Sequence, residues 1–191
     1  VLLALLLAIT VPTKGLRPSA SMVGRESVAV IGGGIAGLSF AKRLAASSKQ
    51  FKVSVFDTGR LRPGGRCSSR FPGDASKEND PSSYQYLSQF VTDNAAQVLA
   101  VPETREFQEF AAQVSEWEKQ GVVKRFAPET VCNIQSTKSK AGFSLKPLAP
   151  QLAMYYGANG MGAIPQALVA SATSNGLVDL YQDVWVSPSN G

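Results

Sequence analysis

Three glycines placed after a short apolar run constrain this chain more than any other feature of its sequence. Residues 28–37 read VAVIGGGIAG and place Gly32, Gly34 and Gly37 in the spacing G-x-G-x-x-G. In this pattern the first glycine permits a tight turn, the second lets the main chain approach a pyrophosphate, and the third lets helix and strand pack closely. N–H groups at the start of the following helix then face the phosphates, with the positive end of the helix dipole behind them. The spacing therefore predicts a dinucleotide cradle.

The residues around these glycines predict a complete strand, turn, helix and strand that ends in an acid. Residues 28–31 are apolar, residues 38–44 place small and apolar side chains on one helical face, and residues 53–55 open a second strand. Asp57 follows at the tip of that strand, where a carboxylate can accept both hydroxyl protons of an adenosine ribose and would repel a 2′-phosphate. FAD or NAD is therefore expected rather than NADP. The alternative is that Asp57 only caps the turn that begins at Thr58.

A second glycine motif follows this unit directly and bears on which dinucleotide is bound. It contains Arg62, Gly64, Gly65, Arg66 and Ser69 in the order R-x-G-G-R-x-x-S. Two adjacent glycines let a backbone pass under a cofactor, and an arginine adds a forked donor that fits phosphate oxygens. Here the chain resembles the glycine-doublet flavoproteins, the superfamily of amine oxidases, carotenoid desaturases, protoporphyrinogen oxidase and renalase-like oxidoreductases. The resemblance implies FAD as the cofactor.

Two later segments narrow the resemblance to the renalase-like group. Residues 84–93, YQYLSQFVTD, and residues 155–168, YYGANGMGAIPQAL, look like stretches that follow the doublet in that group. A departure is Leu87, which stands where relatives usually carry a glycine close to the flavin. The resemblance implies that Val184 lies against the adenine and reads it with backbone groups. The positions for which it implies contact with FAD are Gly32, Gly34, Ile35, Ala36, Gly37, Asp57, Gly64, Gly65, Arg66, Ser88, Gln89 and Val184.

The predicted fold class is α/β, with a Rossmann-like FAD-binding βαβ unit whose parallel sheet carries helices on both faces. The resemblance adds the beginning of a second α+β domain of the substrate-binding type, and a fold that is incomplete at the C-terminus, as in an N-terminal fragment. The predicted divisions are a leader (1–25), the βαβ unit with its GGR motif (26–71), an exposed insertion (72–83), the substrate-type domain (84–176) and truncated return strands (177–191).

Smaller patterns predict the elements of the second half. Residues 104–120 predict a helix with Phe107, Phe110, Ala111, Val114 and Trp117 on one face and Gly121 as its stop. Residues 136–142 predict a hairpin loop. The segments expected to form strands are 122–126, 131–135, 177–181 and 183–187.

Charge and composition exclude several classes of function. The net charge is +5, and residues 26–70 hold eight Lys or Arg against two acids, around the predicted phosphate site. No aromatic interleaving or nucleic-acid motif accompanies this excess, so nucleic acid is not an expected partner. The chain has no histidine, which excludes Ser-His and Cys-His hydrolysis and histidine-metal sites. Cys67 and Cys132 give no metal spacing and are expected to be buried as small apolar residues.

The first residues predict a targeting segment. Residues 1–11, VLLALLLAITV, form an apolar run too short to span a bilayer as a helix, and it is typical of a signal-peptide core. Residues 12–25 are basic, hydroxylated and free of acids, as in organelle transit segments. Together they resemble the bipartite leaders of plastid proteins, and secretion or mitochondrial import are the alternatives.

The expected function is that of an FAD-dependent oxidoreductase of the renalase-like or amine-oxidase-like kind. The resemblance implies transfer of a hydride from a small-molecule substrate, an amine or a dihydronicotinamide of the NAD(P)H type, to flavin, with oxygen as the acceptor. No catalytic residue is identified in the sequence, no metal is expected, and the fragment alone is not expected to be catalytically complete. Two alternatives are a plastid desaturase or porphyrinogen-oxidase relative, and a non-catalytic dinucleotide-binding protein, which the departure at Leu87 suggests.

Overall fold

The structure, a computed structural model, combines one parallel sheet with smaller antiparallel sheets. The residues that it describes are 25–47, 50–74, 90–127, 130–136, 142–147 and 152–187. The helices in these ranges are α1 (Ile35–Ser47), α2 (Gln108–Lys119) and α3 (Ala163–Thr173). The strands are β1 (Glu26–Ile31), β2 (Phe51–Phe56), β3 (Ser69–Arg70), β4 (Thr92–Asp93), β5 (Leu99–Pro102), β6 (Val123–Arg125), β7 (Cys132–Ser136), β8 (Phe143–Pro147), β9 (Leu152–Gly157) and β10 (Val178–Tyr181).

The first three elements form the predicted βαβ unit. β1 and β2 pair in parallel, from Glu26 opposite Phe51 to Ile31 opposite Phe56, and α1 makes the connection between them. β10 pairs in parallel with the other edge of β2, so the sheet order is β1-β2-β10. A parallel sheet with helical crossovers is the α/β architecture that the sequence predicts, and this prediction is confirmed.

Two helices cover one face of the parallel sheet. Val53 and Val55 of β2 are fully buried, and α1 packs against all three strands. α3 packs along α1 and against β10, so the two helices share this face. α2 adds Val114 and Trp117 to the same apolar core. The close contact of α3 with α1 brings residues far apart in sequence to the carboxyl ends of β1 and β2.

The antiparallel sheets are formed by the part of the chain that lies between β2 and α3. β9 lies between β5 and β6 in a three-stranded sheet, and β3 pairs with β4. β7 and β8 form a hairpin in which Ser136 pairs with Phe143, which confirms the predicted hairpin around residues 136–142. α2 ends where Gly121 adopts a φ of 71°, so the predicted stop of that helix is also confirmed.

Three local expectations are wrong. Residues 183–187 form no strand, because Asp183 takes a φ of 55° and turns the chain directly after β10. Phe107 belongs to a 3₁₀ turn, Arg105–Phe107, that precedes α2, and it is 44% exposed rather than part of the buried face. Cys132 lies in the exposed hairpin and is not buried.

Other expectations fall outside the described residues. They concern most of the leader (1–24) and most of the insertion together with the segment that follows it (75–89). The domain divisions remain predictions. Within the ranges given above, no helix is both long and apolar enough to cross a bilayer.

Candidate functional site

The first glycine bend leaves β1 by a turn that only glycine adopts without strain. Gly32 has a φ of 105°, in the left-handed region that other residues rarely enter. Its N–H donates to the carbonyl of Phe56 at 2.8 Å, which extends the pairing of β1 with β2 by one residue. The chain then reverses into α1, which begins at Ile35. The predicted reason for a glycine at this position is therefore confirmed.

The third glycine of the motif allows α1 to lie against the end of β1. A Cβ added to Gly37 would overlap the carbonyl oxygen of Gly32 and lie 3.3 Å from Cγ1 of Val30. The carbonyl oxygen belongs to the backbone and cannot move aside as the end of a side chain would. Close approach of helix and strand thus depends on the absence of a side chain at this position.

Four amides at the start of α1, those of residues 34–37, are available to a ligand. In α1 the first N–H with an acceptor is that of Leu38, which donates to the carbonyl of Gly34 at 3.0 Å. The N–H groups of Gly34, Ile35, Ala36 and Gly37 meet no acceptor among the described residues. Such amides at a helix N-terminus, with the helix dipole aligned behind them, favour an anion.

The second glycine bend lies against the first. Gly64 and Gly65 have φ values of 146° and 55°, and a 3₁₀ turn, Gly65–Cys67, follows. A Cβ built on Gly65 would lie 3.7 Å from Cα of Gly34. A Cβ built on Gly34 would have one backbone neighbour within 4 Å, the Gly64 carbonyl oxygen at 3.8 Å. The two bends, thirty residues apart in sequence, therefore meet across a narrow space, and no side chain of a described residue fills it.

Arg66 brings a positive charge to the edge of this space. Its side chain is exposed and forms no ion pair with the described part of the chain. Its carbonyl accepts a hydrogen bond from the N–H of Ala96 at 2.9 Å, so the backbone is held while the guanidinium stays accessible. An accessible guanidinium on the residue that follows the doublet suits a diphosphate.

Asp57 connects the first bend to the end of β2. It is only 7% exposed, and its Oδ2 accepts the N–H of Gly33 at 2.6 Å while its Oδ1 accepts the N–H of Gly59 at 2.8 Å. The bond from Gly59 caps the turn after β2, which is the alternative role that the sequence left open for Asp57. A carboxylate has about four acceptor positions, so these two bonds leave capacity for ribose hydroxyls.

The segment after β10 also reaches this strand tip. The N–H of Val184 donates to the carbonyl of Asp57 at 3.0 Å, and that of Asp183 donates to the carbonyl of Gly59 at 3.3 Å. Val184 is therefore next to Asp57, although it lies in an irregular turn rather than in a strand. Ser88 and Gln89, the other two residues implied by the resemblance, lie outside the described residues.

Sequence reasoning missed two side-chain links around the doublet. Arg62 donates to both carboxylate oxygens of Asp74 at 2.6 Å each, across the loop that contains both glycines. Ser69 and Asp93 bond to each other and to the backbone at the start of α3. In the sequence Arg62 looked like one of several bases and Asp74 like part of a polar insertion. Nothing in the spacing connects either pair.

Burial disfavours thiol chemistry at Cys67, and the described residues form no cluster of metal ligands. Burial raises the pKa of the Cys67 thiol, and Arg66 beside it only partly offsets the effect. A raised pKa leaves less thiolate at neutral pH, which disfavours a nucleophilic role. In the part of the chain that the structure describes, no three His, Cys, Asp or Glu side chains converge as metal ligands.

Comparison with known families agrees with this geometry. Residues 30–114 match the family described as an NAD(P)-binding Rossmann-like domain. No curated protein matches the chain. The matched residues include both glycine bends, Asp57 and Arg66, and they begin inside β1 of the parallel sheet. The chain therefore carries a dinucleotide-binding domain of the Rossmann-like type.

Proposed function

We propose that this chain binds FAD and is the cofactor-binding part of an oxidoreductase of the renalase-like or amine-oxidase-like kind. The observation that carries the proposal is the contact between the two glycine bends, with Gly34 facing Gly65 across a space that a Cβ would enter. A single glycine-rich turn serves many dinucleotides. A second glycine turn, brought against the first and followed by an arginine, is the arrangement that the glycine-doublet resemblance associates with FAD.

The residues of the site fit the parts of such a cofactor. The free amides at the start of α1 and the guanidinium of Arg66 suit the diphosphate, and Asp57 retains acceptor capacity for the ribose. Asp57 also disfavours a 2′-phosphate at this position, which supports FAD or NAD over NADP.

When bound, FAD supplies a hydride acceptor, with an amine or a dihydronicotinamide as the proposed donor and oxygen as the proposed final acceptor. The described residues do three things toward this chemistry. The glycine bends bind the diphosphate and exclude side chains from it, Arg66 neutralises its charge, and Asp57 fixes the first bend by bonding to Gly33. We propose that the N-terminal segment directs the protein to the plastid and that the activity is located there.

The test is a titration of the purified chain with FAD, followed by flavin fluorescence and the visible spectrum, with NAD⁺ and NADP⁺ titrated in parallel by calorimetry. We expect FAD to bind and Arg66→Ala to weaken it by about 2 kcal/mol, roughly a 30-fold rise in Kd, through loss of a charge-assisted contact. The control is Arg43→Ala, because Arg43 is 79% exposed on α1 and, among the described residues, pairs only with the similarly exposed Glu109.

The outcomes separate the candidates. Binding of NAD⁺ with no affinity for FAD would favour a non-flavin dinucleotide-binding protein and refute the proposal. FAD binding that is lost equally in Arg66→Ala and Arg43→Ala would assign the effect to overall charge. FAD binding that is unchanged in Arg66→Ala would place the guanidinium outside the contact.

A further inference from the structure

A hydrogen-bonded link joins the strand after the glycine doublet to the start of α3. The hydroxyl of Ser69 donates to Oδ1 of Asp93 at 2.6 Å and accepts the N–H of Gly162 at 2.6 Å. The same Oδ1 accepts the N–H of Met161 at 2.8 Å. Ser69 is 4% exposed, so the link lies in the interior. Two side chains thus satisfy two backbone amides of an element more than sixty residues away in sequence.

The two glycines just before α3, Gly160 and Gly162, leave room for this link because a side chain at either position would collide with it. A Cβ on Gly160 would lie 2.7 Å from the Ser69 hydroxyl oxygen and 3.0 Å from Oδ1 of Asp93. A Cβ on Gly162 would lie 2.9 Å from the same hydroxyl oxygen and 3.0 Å from the Ser69 nitrogen. The backbone before α3 therefore lies directly on β3, and its amides are already used by protein acceptors.

The position of α3 also limits the space around the glycine doublet, Gly64 and Gly65. A Cβ on Gly64 would lie 3.1 Å from the ring of Pro165, in the first turn of α3, and 3.0 Å from Cα of Ser68. The Gly64 backbone is therefore enclosed between α3 on one side and the residues leading into β3 on the other. A shift of α3 relative to β3 would change the space that Gly64 and Gly65 occupy opposite Gly34.

We propose that Ser69 and Asp93 are positioning residues for the dinucleotide site, holding α3 on β3 so that the glycine doublet stays against the first glycine bend. They act through the backbone of Met161 and Gly162. The proposal assigns them no direct contact with the dinucleotide. The inference rests on the proposed function, because its consequence is the affinity for the dinucleotide.

The test compares Asp93→Ala with Asp93→Asn in the full chain. Asparagine keeps the Oδ1 acceptor for Ser69 and Met161 and removes the charge, whereas alanine removes both. We expect Asp93→Ala to raise the Kd for FAD about tenfold or more and Asp93→Asn to stay within about twofold of the wild type. Ser69→Ala is the second variant, and it should behave like Asp93→Ala.

A double-mutant cycle with Arg66→Ala distinguishes positioning from general destabilisation. If the link acts by presenting the doublet and its arginine, Asp93→Ala should cost much less FAD affinity when Arg66 is already alanine. Independent effects that simply multiply would overturn the proposal. Hydrogen exchange of residues 62–68 without any ligand provides a second measure, and it should rise in Asp93→Ala and in Ser69→Ala but not in Asp93→Asn.

These arms separate the two hypotheses. A wild-type chain that does not bind FAD would refute the proposed function and the positioning role with it. A wild-type chain that binds FAD with the expected effect of Arg66→Ala, but equally well when Asp93 or Ser69 is alanine, would refute only the positioning role. If Asp93→Ala fails to fold, Ser69→Ala decides, with its hydrogen exchange and its FAD affinity as the readouts.

Discussion

Replacement of Gly34 by alanine should separate ligand binding from folding. Gly34 lies outside the left-handed region. Among the described residues, an added Cβ would contact only the Gly64 carbonyl oxygen, at an ordinary van der Waals distance of 3.8 Å. We therefore expect the free energy of unfolding to change by less than about 1 kcal/mol, with alanine also reducing the entropy of the unfolded chain. The methyl group would nevertheless stand in the space between the two bends.

The cost to binding follows from the same geometry. A phosphate oxygen must come within about 2.9 Å of an amide nitrogen to accept its hydrogen bond, and a methyl group beside that amide prevents the approach. Losing one charge-assisted hydrogen bond corresponds to about 2 kcal/mol, roughly a 30-fold rise in the Kd for FAD. Gly34→Ala should thus bind poorly while melting close to the wild type.

Gly37→Ala is the matched control on the same motif. Its Cβ would overlap the Gly32 carbonyl oxygen and lie 3.2 Å from the carbonyl carbon, so α1 must move away from β1. We expect a loss of about 3 kcal/mol, which lowers Tm by roughly 6–12 °C in a domain of this size. Thermal unfolding without ligand and titration with FAD give both quantities. Normal FAD affinity in Gly34→Ala, or a large loss of stability in that variant, would refute the reasoning.

Three further substitutions or treatments test the surrounding contacts. Asp57→Asn should lower the free energy of unfolding by about 1–3 kcal/mol, because the amide group cannot accept a backbone N–H on both sides; an unchanged urea midpoint would contradict the bonding. Arg62→Lys keeps the charge and loses the two-pronged contact with Asp74, and should cost about 1.5 kcal/mol in the same assay. Because burial raises the pKa of the Cys67 thiol, iodoacetamide near pH 7.5 should modify Cys67 more slowly than the exposed Cys132, as peptide mass spectrometry would show; equal rates would argue against the burial.

The parallel unit at the start of the chain could be predicted because its signals are local. An apolar run, three glycines and a helical stripe each specify the geometry of their own few residues, and together they leave little choice of arrangement. The strand at β10 was also predictable from its composition, although its place beside β2 was not. The wrong strand at residues 183–187 has a tertiary cause, since Asp183 and Val184 bond back to the loop after β2 instead of continuing.

The sequence alone predicts the two glycine bends, the acid at Asp57 and the arginine at Arg66. It can do so because backbone freedom, charge and spacing are properties of neighbouring residues. Only the tertiary structure decided that the bends touch, that Asp57 bonds to Gly33, and that Ser69 reaches Gly162 across 93 positions of the chain. The contact of Ser69 with Gly162 depends on how α3 lies against the rest of the domain, and that packing is determined by the shared apolar core rather than by any local pattern.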